Sequence, residues 1–261
     1  MAFVTAPHTA TRGELVRART AVRFALVSTE LPPVTEALPL CERARRVFTR
    51  ARVDTSHSPV FTGKSADGTP LVGHPHAFFL PEDADGDGRI DHLSVIASAG
   101  FDAEDLVALE ACTPIFGAHA RPGIHLKTCP SDGSVIGTSS VWRSLTPFSM
   151  PRFATSGNAR KVRNRDLPES QLRRELRLRG FPEPARVELL GGYETRDGRT
   201  VSWSEFVVER RNGTHGFGIA GFEIHFPHAV SGPIALGFGC HFGLGVFVAS
   251  EDRALEAGKR R

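Results

Sequence analysis

Large apolar residues alternate with small or polar ones along residues 21–27, where Val22, Phe24 and Leu26 are spaced by Arg23 and Ala25. A period of two puts the three large side chains on one face, which predicts a half-buried strand. After Pro32 and Pro33 the period lengthens. Ala37, Cys41, Ala44, Phe48 and Ala51 recur at steps of four and three, the stripe of an amphipathic helix that Thr35 can cap and that runs to about Arg52. A polar stretch containing Gly and Pro predicts a loop over 54–74, followed by strands at 76–80 and 90–97 joined through an Asp/Gly-rich connection. Asp102 is the expected N-cap of a second helix, with Asp105 three residues on and Phe101 placed to staple onto Leu106. That helix is expected to end by Gly117, and 124–128 returns as a strand.

Strand, helix, strand, strand, helix, strand is the order of a ferredoxin-like unit, a four-stranded antiparallel sheet with two helices on one face. The second half repeats part of it. Residues 141–148 read as a strand, 168–179 as a helix with Gly180 just past its end, and 185–190, 201–210 and 221–226 as strands. The fold class expected is therefore α+β, with two ferredoxin-like units over about 1–130 and 131–261 and a glycine-rich loop near the C-terminus. No residue-level repeat links the halves, so the duplication lies in topology alone.

Composition adds limits. The 261 residues are 40% apolar and 23% charged, ordinary for a globular chain, and contain no apolar run long enough for a membrane span. The N-terminus lacks a secretory pattern, and Cys41, Cys112, Cys129 and Cys240 show no short paired spacing, which argues against a zinc site or disulfide framework. A cytoplasmic protein is expected. Net charge is only +3, but Arg160, Lys161, Arg163, Arg165, Arg173, Arg174, Arg177 and Arg179 face only Asp166, Glu169 and Glu175 within one short stretch. Such a run is either a solvated face or an anion-binding one, and arginine's planar fork suits phosphate.

Two loops carry candidate chemistry. In residues 232–245, Gly237, Gly239, Gly243 and Gly245 alternate with bulky apolar residues. Glycine allows positive φ and close backbone approach, so the run either turns its amides to a phosphate or packs tightly under a sheet. It is neither a dinucleotide fingerprint nor a Walker loop. The loop 83–91 matches the first nine positions of a calcium-binding EF-hand loop, with Asp83, Asp85, Asp87 and Asp91 as carboxylates and Gly86 at the sixth position. Ser94 replaces the bidentate glutamate and the flanks read as strands. An Asp-Gly turn explains the same residues without an ion, so a bound Ca²⁺ would be structural.

The glycine run 237–247, together with 74–92, 140–148 and the Gln171–Arg177 stretch, resembles the repeat-associated (RAMP) superfamily of CRISPR proteins. Within it, the chain is most similar to the nuclease half of the subtype I-G (formerly I-U) fusion of a backbone subunit with a transcript-processing nuclease. The similarity runs from about Ala21 to Ala249, and most of the backbone-subunit half is missing. The resemblance implies two ferredoxin-like folds, binding of CRISPR repeat RNA hairpins, metal-independent cleavage by 2′-hydroxyl attack, and association with other type I effector subunits. It requires no cofactor. It also implies a catalytic histidine in the first unit, where His74 and His76 are the candidates, with Lys64 as the cation and His57 in reserve. Two residues apart on a strand, His74 and His76 would share one face and supply base and acid. His241 lies in the other half and is expected only to touch RNA. The expected RNA contacts are Arg143, Arg160, Lys161, Arg163, Arg165, Arg173, Arg174 and Arg177, with the glycines of the loop; Trp142, Phe148 and Phe153 are candidate base-stacking rings. Two alternatives remain open: a non-catalytic RNA-binding subunit, and a calcium-binding structural module.

Overall fold

The computed structural model describes residues 19–52, 58–111, 114–115, 123–152 and 164–250. His57, Cys112, Phe153, Arg160, Lys161 and Arg163, and the side chain of Arg165, lie outside the described residues.

In chain order the elements are β1 (Ala21–Val27), α1 (Ala37–Ala51), α2 (Pro59–Thr62), β2 (Phe78–Glu82), β3 (His92–Ile96), α3 (Ala103–Glu110), β4 (His125–Cys129), β5 (Thr138–Ser144), β6 (Phe148–Ser149), α4 (Pro168–Leu178), β7 (Arg186–Leu190), β8 (Gly192–Glu194), β9 (Thr200–Ser202), β10 (Ile219–Ser231), β11 (Ile234–Ala235) and β12 (Val246–Ser250).

The first sheet has the order β2-β3-β1-β4 with every neighbour antiparallel. With α1 between β1 and β2 and α3 between β3 and β4, this is the ferredoxin-like arrangement. Val22, Phe24, Phe79, Leu93 and Val95 form its buried helix-side face, against which Phe48 of α1 stacks on Phe24 at 5.5 Å and on Phe79 at 6.4 Å. Asp102 and Asp105 close the expected capping box at the start of α3. The opposite face is also covered. Glu82 is fully buried there, bonded by Ser94 Oγ at 2.6 Å and by the guanidinium of Arg23 at 3.2 Å. Gly133 passes so close that a Cβ would lie 2.1 Å from Glu82 Oε2.

In the second sheet, β12, β5, β10 and β7 lie in that order, again all antiparallel. Taken as first (β5), second (β7), third (β10) and fourth (β12) strands, these repeat the order of the first sheet, with α4 as the first crossover. Trp142, Phe148, Leu172, Leu176, Phe222, Ile224 and Phe247 form the core beneath α4. The second crossover differs: no helix joins β10 to β12 but the glycine-rich segment and the short β11.

Four expectations change. Trp142 and Phe148 are fully buried, so they are core rings and not base-stacking ones. The strand expected over 201–210 stops at Ser202, because Trp203 turns over Gly221 and donates from Nε1 to the Leu190 carbonyl at 2.7 Å, closing a 3-10 turn instead. Thr35 does not cap α1; a 3-10 turn, Val34–Glu36, leads into it. The strand expected over 76–80 begins at Phe78. His74 and His76 precede it, and His74 adopts a positive φ of 59°.

Two segments tie the sheets together. The β8–β9 hairpin and its following turn reach the first unit through Tyr193 Oη to Asp83 (2.7 Å), Arg196 N to the Gly86 carbonyl (2.7 Å) and Val207 N to the Thr35 carbonyl (2.9 Å). The glycine segment is the other tie.

Candidate active site

Gly237, Gly239, Gly243 and Gly245 all have positive φ, as the sequence suggests, but their backbones press on protein. A Cβ at Gly243 would lie 2.8 Å from Cys41 Sγ on α1, and one at Gly237 2.5 Å from the Ser149 carbonyl. Glycine is needed here for packing of the loop across α1 and β2. The consequence is that the loop lays its own residues along β2: Phe79 N donates to the His241 carbonyl at 3.0 Å, and Phe79 and Phe242 form a parallel bridge.

This docking brings His241 to His74 and His76. The His241 ring lies nearly parallel to His76 at 3.7 Å and to Phe78 at 3.8 Å. Two rings cannot share one face at that distance, so His241 is sandwiched between them. His74 stands at its edge, with His74 Nδ1 2.7 Å from His241 Nε2 and the rings only 16° from coplanar.

The hydrogen bonds fix the tautomers. His241 Nδ1 faces the Ala77 carbonyl at 3.2 Å, and a carbonyl accepts only, so Nδ1 carries the proton. His241 Nε2 is therefore an acceptor, and His74 Nδ1 donates to it. That leaves the His74 Nε2 lone pair as the group open to a substrate proton.

Electrostatics keep the cluster neutral. Burial, followed by His74, Arg45 and Arg179, lowers the His76 pKa to about 4. Burial first, then His76, pushes His241 far below the usual histidine range. His74 shifts the same way, by burial and then by Arg179. His76 Nδ1 is buried with no hydrogen-bond partner among the described residues, and a Cβ at Gly63 would lie 3.1 Å from the same ring. Lys64 follows Gly63 and is exposed. Arg179 flanks the cluster from α4's C-terminal end, over the Phe78 ring at 5.7 Å and bonded to the Ala235 carbonyl at 2.9 Å and Cys240 Sγ at 3.3 Å.

The other expected RNA contacts divide. Arg143 is held by Glu223 at 3.0 Å and Glu194 at 3.3 Å, and Arg173 by Glu169 at 2.9 Å and Glu183 at 2.8 Å. Both are bound within the fold. Arg174 and Arg177 line an open cleft of about 620 Å³ with Arg152, Asp166, Ser170 and Gln171.

In the aspartate loop, ligand oxygens of Asp83, Asp85 and Asp91 lie within 4.8 Å of one another and can hold a divalent cation, whereas Asp87 is not in that group. Protein N–H groups already bond these carboxylates: Gly88 N to Asp83 at 2.7 Å, Asp87 N to Asp85 at 3.1 Å and Ala84 N to Asp91 at 3.0 Å. Asp87 instead accepts from Arg89 N at 2.7 Å. The flanks are β2 and β3, as in a hairpin.

Sequence reasoning saw His74 and His76 but left His241 out of the catalytic group because it lies in the second half of the chain. The missed signal was a histidine set among four glycines whose loop must cross onto another element.

No family model and no curated protein matches the chain. Among solved structures it is similar to a CRISPR associated protein Cas6, at 8% identity and a TM-score of 0.44, over 89% of this chain and 99% of that one. A Cas6-related protein from Pyrococcus furiosus gives 13% identity and a TM-score of 0.46, with the same coverage. The CRISPR RNA processing endoribonuclease Cas6b gives 13% and 0.34, over 88% and 99%. Among the described residues, no helix is long and apolar enough to cross a membrane.

Proposed function

We propose that this chain is an endoribonuclease that binds CRISPR repeat RNA and cuts the precursor transcript by attack of a 2′-hydroxyl on the adjacent phosphodiester. The observation that carries the reading is the His74–His241 hydrogen bond, which leaves a neutral imidazole nitrogen facing outward beside the Arg179 cation. The resemblance of the sequence to the RAMP superfamily supports the same reading.

His74 Nε2 takes the 2′-hydroxyl proton as the 2′-oxygen bonds to phosphorus. The phosphorus–O5′ bond breaks, leaving a 2′,3′-cyclic phosphate and a 5′-hydroxyl. Lys64 and Arg179 offset the charge that builds on the phosphoryl oxygens, and the Lys64 ammonium protonates the departing 5′-oxygen. His76 does not serve as the acid in this scheme. With its pKa near 4 it holds no proton to give at neutral pH, and its ring instead clamps His241. Every group used is a side chain of this chain, so the reaction proceeds without metal. The RNA stem lies along the Arg174–Arg177 cleft, and the chain stays with its product guide in an effector assembly.

The test is cleavage of repeat RNA in EDTA by wild type and His74→Ala. The variant loses about 10²–10⁴-fold in rate with affinity retained, since a general base acts on the transition state and not on binding. An RNA with a 2′-deoxy group at the cut site binds and stays whole. Tight binding without any cut by the wild type would replace this reading with that of a non-catalytic guide-binding subunit.

A further inference from the structure

Four arginines from two distant parts of the chain line one open cleft. Arg45 and Arg46 come from α1, Arg210 and Arg211 from the turn before β10, and Glu42 and Asn212 complete a space of about 400 Å³. Arg43 borders the group: its pKa is lowered by burial first and then by Arg46, against the pull of Glu36, with Arg211 lowering it further. Five arginines are thus set against two glutamates.

Like charges at this density need a reason. Arg45 is pulled down by burial and then by Arg210, with Glu42 opposing. Two of the guanidiniums are fixed in place. Arg45 donates to the Phe61 and Thr62 carbonyls at 2.6 and 3.0 Å, and Arg210 Nε to Glu42 at 2.7 Å. Both also lie over the Phe242 ring, at 5.6 and 4.2 Å. Glu42 is further committed to the Arg211 backbone N–H at 3.3 Å. Among the described residues, no carboxylate pairs with the guanidinium of Arg46 or Arg211. Preorganised arginines beside unpaired ones favour phosphate, which accepts the planar fork in two places at once.

The position selects the kind of phosphate. Phe242 follows His241 in sequence and lies under Arg45 and Arg210, and Arg45 acts electrostatically on His76, so the cleft lies near the histidine cluster. It is open and lined by four arginines, Glu42 and Asn212, as a passing polyanion needs and an enclosed metabolite does not. We infer that the Arg45–Arg46–Arg210–Arg211 cleft binds the backbone of single-stranded RNA next to the cut site. The inference rests on the proposed nuclease reading for its placement but not for the binding itself.

The experiment measures affinity by anisotropy across a potassium chloride series, with a uridine octamer and with uncleavable 2′-deoxy repeat RNA. The proteins are wild type, Arg46→Ala/Arg211→Ala, and Arg174→Ala/Arg177→Ala, with thermal melting to confirm the fold. The first variant is expected to bind the octamer at least tenfold more weakly. Its salt slope is expected to fall by about 1.4, at roughly 0.7 per lost single-strand contact. If it melts like wild type and both values are unchanged, or if only the second variant loses octamer affinity, the site is overturned. If it misfolds, Arg46→Gln/Arg211→Gln, which keeps the length and loses the charge, decides by the same criteria. Loss of octamer affinity in a protein that never cuts repeat RNA would sink the nuclease reading and keep this site.

Discussion

His74 Nδ1 and His241 Nε2 stand 2.7 Å apart although 167 residues separate them, and the bond joins the two ferredoxin-like units at the candidate site. One residue comes from the loop before β2, the other from the loop before β12. Their bond sets which nitrogen of His74 can act as a base.

In the proposed reaction His241 is accordingly a positioning residue. His241→Ala is expected to lower kcat by about 10–100-fold with little change in KM, the pattern of a mis-set base. His241→Gln offers an acceptor where Nε2 stood and recovers part of the loss. Equal defects in both variants, together with a lower melting temperature, would mean that the ring only fills space.

Stability should depend on pH through the same rings. His76 titrates near 4 when folded and near its ordinary 6.5 when unfolded, so between those values the unfolded chain holds more protons. The stabilisation is complete above pH 6.5 and is lost as pH falls toward 4. His76→Phe is expected to flatten the fall in melting temperature across that window. The base follows the same sign: His74 is also lowered, by burial and then by Arg179, so more than half of it is unprotonated at pH 6.5 and the cleavage rate there is expected to exceed half of that at pH 7.5. A halving or greater loss over that interval would count against His74 as the base.

The Arg23–Glu82 pair predicts a structural effect without a catalytic one. Glu82→Ala leaves a nearly buried guanidinium with the more exposed Asp132 at 3.6 Å as its carboxylate partner and is expected to cost about 3–5 kcal/mol in chemical denaturation. Gly133→Ala should destabilise as well, because its Cβ overlaps Glu82 Oε2. Unchanged denaturation midpoints in both would refute the role given to this pair.

The aspartate loop is assigned to folding. Asp85→Ala with Asp87→Ala removes two side chain–backbone hydrogen bonds and is expected to cost about 1–3 kcal/mol while cleavage persists, with or without EDTA. A well-folded double variant that cannot cut would bring the loop into the mechanism.

Local signals in the sequence carried far. The alternation at Val22, Phe24 and Leu26 located β1, Asp102 and Asp105 marked the start of α3, and Gly180 marked the end of α4, because each depends on neighbours a few residues away. Failures came where distant partners decide. Val201 and Trp203 alternate like a strand, yet Trp203 is drawn over Gly221, which removes the Cβ that would block it. His74 and His76 fit a strand by spacing, but the positive φ at His74 turns the backbone before β2 begins. The arginine cleft was invisible for the same reason. Arg45-Arg46 and Arg210-Arg211 lie far apart in the sequence, and only the fold sets them side by side.

The glycine loop that stands where a second crossover helix would be expected has a consequence in time. Chains fold from the N-terminus as they are synthesised, and the first sheet needs nothing beyond Cys129 to pair its strands. His74 would then wait with its Nδ1 unbound until residue 241 is made and the loop crosses back onto β2. In the proposed reaction the base would therefore be set only once nearly the whole second unit exists.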